Sequence, residues 1–207
     1  MATDPPGPSQ PVITITGERV ALGPPHRGLL PLLWKWENDL ALSVLSGDPA
    51  RPLTPEALEA EYERYSKSGP ERVQFVVYEW ATTRPIGLVG LSQINYAHRT
   101  AELGISLGES DCWGKGYGTE ATRLVLDYAF TMLGLHNVML RVYAYNERAR
   151  RAYLRAGFRE IGRRREAHRL GTRVVDEVLM DCLATEFQGS VLQPYLPDAA
   201  GGAPAGQ

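Results

Sequence analysis

The stretch Trp113-Gly114-Lys115-Gly116-Tyr117-Gly118-Thr119-Glu120-Ala121 constrains this chain more than any other. A run that reads as a strand ends near Leu107, and the glycines follow. Apolar residues then recur at Tyr117, Ala121, Leu124, Val125, Tyr128, Ala129 and Met132, a spacing that predicts an amphipathic helix over 117–133. A strand passing through a glycine turn into a helix gathers backbone N–H groups and the positive end of the helix dipole at one point. Such a turn can cradle phosphate. Two familiar cradles do not fit. A nucleotide P-loop has four residues between its glycines, then Lys and Ser or Thr. Here five residues separate Gly108 from Gly114, and Gly116 follows Lys115. The dinucleotide fingerprint G-x-G-x-x-G opens a parallel unit, whereas this turn reads G-x-G-x-G in mid-chain. A loop that only redirects the chain is the plain alternative.

Strands are predicted at 12–16, 19–22, 73–77, 86–95, 101–107, 138–142 and 174–183. Helices are predicted at 28–38, 54–67 and 147–156 besides 117–133, and Thr54-Pro55-Glu56 supplies a start signal for the second. Strands outnumber helices, which implies a mixed α/β sheet with helices on its faces. Residues 1–11 hold four prolines and read as a disordered arm, residues 12–187 as one folded domain, and residues 188–207 as a disordered tail.

Composition narrows the function. The 207 residues carry 22 basic and 24 acidic side chains, so net charge gives no case for nucleic acid or a membrane surface. No apolar run approaches the roughly 18 residues of a membrane span. No export signal is evident, and Cys112 and Cys182 cannot form a disulfide framework or a four-ligand zinc site, so a cytoplasmic, metal-free protein is expected. His26, His98, His136 and His168 show no metal spacing. Charge is uneven along the body: residues 37–71 carry a net −5 and residues 141–173 a net +8. Either these are two solvated faces, or the first segment meets a cationic ligand and the second an anionic one.

The turn resembles the pyrophosphate loop of the GCN5-related N-acetyltransferases, Gln/Arg-x-x-Gly-x-Gly/Ala, with Gly116 and Gly118 as its glycines and Trp113 in place of Gln or Arg. Asn146-Glu147-Arg148-Ala149 through Tyr153 to Gly157-Phe158 resembles the family's N-x-x-A-x-x-x-Y-x-x-x-G-F helix. Ile86 to Asn95-Tyr96 and His98 to Glu102 look like the strand pair before the loop in its polyamine branch; the departure at Trp113 is common in the ribosomal-protein and polyamine branches. The resemblance implies the family's acyl-CoA N-acyltransferase fold, a mostly antiparallel sheet flanked by helices. It also implies acetyl transfer from acetyl-CoA to a primary amine of a polyamine, a protein N-terminus or another small molecule, by direct attack in a ternary complex. Dimers are frequent in the family. The alternative is an inactive acyl-CoA-binding sensor.

The resemblance also assigns roles. A free ammonium, with a pKa near 10.4, is no nucleophile at neutral pH. Glu102 is the expected base and Tyr153 the expected acid for the leaving thiolate. The backbone of Ile105, Ser106 and Leu107 is expected to pair with the pantetheine amides, and Asn146 to contact the same arm while capping its helix. The N–H groups of Gly114, Lys115, Gly116, Tyr117, Gly118 and Thr119 are expected around the pyrophosphate, with Arg148, Arg150 or Arg151 at the remaining phosphate. Cys112 is read as a bystander. Of Trp34 and Trp36, one is expected in the core and the other in the acceptor cleft. The adjacent glutamates of polyamine enzymes are not evident; Gly47-Asp48-Pro49 stands there instead.

Overall fold

The computed structural model describes residues 10–46, 51–66 and 69–197. Its frame is an eight-stranded sheet in the order β1-β2-β3-β4-β5-β6-β8-β7. The strands are β1 (Ile15–Thr16), β2 (Val20–Gly23), β3 (Val73–Glu79), β4 (Arg84–Asn95), β5 (Thr100–Leu107), β6 (Asn137–Tyr143), β7 (Arg159–Leu170) and β8 (Arg173–Leu183). All neighbours run antiparallel except β5 and β6. The helices are α1 (Leu30–Glu37), α2 (Leu40–Ser46), α3 (Pro55–Ser66), α4 (Tyr117–Asp127) and α5 (Glu147–Ala156). This is the expected mixed, mostly antiparallel sheet with flanking helices.

β3 shows how the layers form. Phe75 and Val77 enter a core that also holds Leu124 and Val125 of α4, while Val76 and Tyr78 pack with Leu29 on the opposite face. A strand covered on both sides reads as a continuous apolar run, as Phe75-Val76-Val77-Tyr78 does. The main core continues through Val138, Leu140 and Val142 of β6 and Ala156 of α5. Each buried Leu or Val there stabilises the fold by about 1.5–3 kcal/mol, which fixes α4 and α5 against one face of the sheet.

Two elements escaped the sequence reading. α2 has no buried residue. β7 forms the sheet edge and is exposed along most of its length, with arginines at 159, 163, 164, 165 and 169. Apolar alternation therefore never develops along it.

The helix after the glycine turn changes at Asp127, where a wider π-type turn takes over through Met132. Asp127 is 2% exposed. Its carboxylate accepts from Thr131 Oγ1 at 2.7 Å, Ser190 Oγ at 2.5 Å, Val191 N at 2.7 Å and Leu192 N at 3.0 Å. These bonds draw residues 188–197 onto the body and bury Leu192. The expected disordered tail is thereby corrected over 188–197: one buried carboxylate does what sparse apolar side chains would not. Residues 1–9 and 198–207 lie outside the described residues. Asp127→Ala is expected to lower stability by about 2–3 kcal/mol, because buried donors lose a charged acceptor. Thermal unfolding checks this, with a Tm fall of roughly 4–12 °C for a chain of this size.

Candidate active site

β5 and β6 create the site by parting. They pair only at Thr100–Asn137, Ala101–Val138 and Glu102–Met139. β5 stays bonded to β4 as far as Leu107, and β6 to β8 as far as Tyr143. Among the described residues, Gly104–Leu107 therefore has no strand partner on the β6 side. Backbone polar groups left so need a partner, and an extended amide-bearing chain supplies one as an added strand does. A cavity of about 610 Å³ opens in this fork. Ile105 and Ser106 line it. Leu107 also lines it, but its carbonyl already accepts from Trp113 Nε1 at 2.9 Å.

The glycine turn walls one side. Gly114 and Gly116 have φ of +78° and +88°, left-handed values that glycine adopts without strain. Glu120 N donates to Gly116 O at 3.0 Å. The N–H groups of Tyr117, Gly118 and Thr119 precede that first helical bond and have no intrahelical acceptor. Gly114, Gly116, Tyr117, Gly118 and Thr119 all line the cavity. The Lys115 side chain is exposed outside it, and its carbonyl accepts from Arg19 Nη1 at 3.1 Å.

Trp113 flanks this turn and carries the Arg148 guanidinium 3.8 Å from its ring centroid. Arg148 has no carboxylate partner among the described residues, and partial burial pulls its ionisation below the ordinary arginine value. Arg150 is paired to both Glu147 and Glu160, and Arg151 is exposed. Of the three expected arginines, Arg148 alone lines the cavity.

α5 supplies the facing wall. Asn146 Oδ1 accepts from Ala149 N at 3.2 Å, the expected cap, and its Nδ2 donates to Leu45 O of α2 at 3.4 Å. Tyr153 lines the cavity and meets Phe158 edge to face at 6.1 Å. It is half-buried, and burial pushes the phenol up to about 12. It is protonated throughout the neutral range.

Glu102 lies at the last paired position before the fork opens. Its Oε1 accepts from Arg141 Nε and Nη2, both at 2.7 Å, and its Oε2 from Gln93 Nε2 at 2.7 Å. Gln93 has a φ of +51° in a register shift between β4 and β5. Both oxygens of the expected base are thus engaged by side-chain donors. Glu177 of β8 was not foreseen. It is 4% exposed and lines the same cavity. The signal was a lone acidic pair inside the apolar run Val174–Met180.

A second cavity of about 290 Å³ adjoins, sharing Leu42, Ser46 and Ser106 with the first. Trp36, Glu37 and Glu61 line it. Trp36 is buried and donates to Glu109 Oε1 at 2.8 Å. Trp36 is thus the buried one of the two, and Trp34 is 43% exposed with its Nε1 donating to Leu53 O at 2.6 Å. Gly47-Asp48-Pro49 lies outside the described residues. Cys112 is buried with its sulfur 3.0 Å from Arg84 Nη2, and burial pushes its thiol up. That is no activated nucleophile. The described residues contain no cluster suited to a metal ion and no helix long and apolar enough to cross a membrane.

Residues 19–159 match the family model described as the acetyltransferase (GNAT) domain. The chain belongs to this family and is an N-acetyltransferase. It is 37% identical over 130 residues to a spermidine N(1)-acetyltransferase of Vibrio cholerae, covering 63% of this chain and 73% of that one. A spermidine N(1)-acetyltransferase of Escherichia coli K12 is 43% identical over 72 residues, 35% of this chain and 38% of that one. Among solved structures, the spermidine N-acetyltransferase from Vibrio cholerae in complex with CoA and spermine superposes with a TM-score of 0.75 at 30% identity. That match covers 82% of this chain and 98% of the other. None of these relatives favours an inactive sensor.

Proposed function

We propose that the enzyme moves an acetyl group from acetyl-CoA to a primary amine of a polyamine, by direct attack in a ternary complex. The fork cavity carries this reading. Its strand edge, helix N-terminus and free guanidinium suit a phosphorylated amide chain, and Glu102, Glu177 and the neighbouring Glu37 and Glu61 suit a polycation. The names of the relatives support the polyamine over a protein N-terminus. Two buried free thiols suit a reducing compartment, and we assign the enzyme to the cytoplasm.

In this reading acetyl-CoA supplies the thioester. The backbone of Ile105, Ser106 and the Leu107 N–H hold the pantetheine arm, with the Asn146 amide nearby. The open N–H groups from Gly116 to Thr119 take the pyrophosphate. Arg148, stacked on Trp113, provides the phosphate-side cation that the Trp113 position itself lacks. Tyr153 donates to the departing sulfur. A thiol ionises near 8.5, so full transfer from a phenol at about 12 runs uphill, and the main contribution of Tyr153 is a hydrogen bond to the developing thiolate.

Thiol release from acetyl-CoA should appear with spermidine or spermine and be at least about tenfold slower with an N-terminal peptide or an aminoglycoside; the reverse order would move the acceptor class. Tyr153→Phe should lower kcat by about 10²–10⁴-fold, by a constant factor from pH 7 to 10. An alkaline limb near pH 9 that vanishes in the variant would contradict the raised phenol. Arg148→Met should weaken acetyl-CoA binding by about 5–30-fold, the scale of one charged hydrogen bond. Calorimetry measures it, and turnover of a phosphate-free acetyl thioester should be unchanged.

A further inference from the structure

The carboxylate best placed to take the amine's proton is not the one with committed oxygens. Glu177 lies on the β8 face opposite Val178, Met180 and Cys182, which enter the core. Two nitrogen groups approach it at long range: His168 Nε2 stands 3.6 Å from Oε1 and Arg164 Nη1 3.9 Å from Oε2. Both exceed the roughly 2.7–2.9 Å of a charge-assisted hydrogen bond. Arg141 and Tyr143 on β6 also face it, and Arg141 is committed to Glu102 on β5; from α5, Arg148, Tyr153 and Arg155 line the same cavity. α2, across the cavity, brings only Leu42, Leu45 and Ser46.

The strand beside Glu177 is shaped around it. β7 pairs Arg164 with Glu177, and then the register shifts so that His168 pairs with Val175. Within the shift Glu166 has a φ of +52°, and its N–H donates to Asp176 Oδ1 at 2.9 Å. A non-glycine residue held left-handed is strained, and such strain gathers at functional sites. Without this bulge, regular pairing would carry His168 toward Arg173, away from Glu177. With it, the imidazole meets Glu177 on one side and the Tyr143 ring, edge to face at 4.2 Å, on the other. Tyr145 stacks on Tyr143 at 5.6 Å. Aromatic faces beside a buried carboxylate make a receptor for an alkylammonium.

We propose that Glu177 receives the acceptor's ammonium and takes its proton, passing it to His168, while Glu102 with Arg141 and Gln93 holds the fork in shape. This rests on the acetyl-CoA-to-amine reading above. The ammonium N–H bond breaks and an O–H bond forms on Glu177. The electron pair left on nitrogen attacks the thioester carbonyl and forms the N–C bond; the C–S bond then breaks, the thiolate leaves hydrogen-bonded to Tyr153, and the second proton on the adduct nitrogen passes to that sulfur, giving the amide and the free thiol. Glu177 hands the proton to His168 Nε2, across a gap that a small torsion of the partly exposed ring closes, and His168 releases one from Nδ1 to water. Histidine is the side chain suited to such a shuttle near neutral pH.

The test compares wild type, Glu177→Gln and His168→Phe with acetyl-CoA and spermidine from pH 6.5 to 10. At pH 7, Glu177→Gln should lower kcat/KM for spermidine by about 10²–10⁴-fold, with acetyl-CoA affinity by calorimetry unchanged. The deficit should narrow to under about tenfold near pH 10, where solution itself supplies free amine. A variant damaged only in structure would keep a constant deficit. His168→Phe keeps a ring against Tyr143 and decides the matter if Glu177→Gln does not fold: a deficit that narrows in the same way is expected. Near-normal activity of either folded variant, or a deficit independent of pH, overturns the proposal. Absence of amine acetylation by wild type would instead overturn the underlying reading.

Discussion

The short pairing of β5 with β6 governs this molecule. Three residue pairs bind the strands before they part, and among the described residues the main chain beyond Glu102 has no strand partner on its β6 side, where a cavity opens. Backbone N–H and C=O groups are costly inside a protein unless something answers them. Everything around the fork is arranged so that the answer is a ligand. α4 packs over β2, β4 and β5 and against α5, and the two helices bring the glycine turn, Asn146 and Tyr153 to the cavity. α2 covers the other side through Leu42 and Leu45. The pairings of β6 with β8 and of β4 with β5 hold the two arms apart.

Charge in the fork is divided by function rather than by sequence segment. The arginine-rich stretch looked like one basic face, yet Arg141, Arg150, Arg159, Arg163 and Arg164 each stand near a carboxylate. Arg148 is different because its neighbour is an indole. Glu102 and Glu177 make the complementary contrast. They share a cavity, but three donors engage the first, whereas the second is buried with His168 and Arg164 at longer range. Residue type alone does not distinguish these pairs; the partners do.

What the sequence made legible follows from local rules. The glycines at 114 and 116, the apolar period of α4 and the Asn146 cap each leave a mark within a few residues, and the structure places them together. Illegible features depended on distant partners. β7 is a strand because β8 pairs with it, not because its own residues alternate. Residues 188–197 fold because Asp127 lies far upstream. Lys115 sits in the motif but turns outward, since its carbonyl, not its ammonium, meets the body. Glu177 was hidden because an acidic residue in an edge-adjacent strand reads as solvated until its cover of β7 and β6 side chains is seen.

The Trp113–Arg148 stack has an optical consequence. A guanidinium 3.8 Å above an indole perturbs its emission, and this indole also donates to the Leu107 carbonyl at the end of the open strand. Its fluorescence therefore reports on both the phosphate side and the amide side of the fork. Trp36 packs against Gly108, where an added Cβ would come within 2.2 Å of its ring, and lines the second cavity rather than the fork. The fold contains its own probe, so filling of the cavity can be followed in stopped flow without a label, and an enzyme lacking Trp34 and Trp80 would isolate the signal.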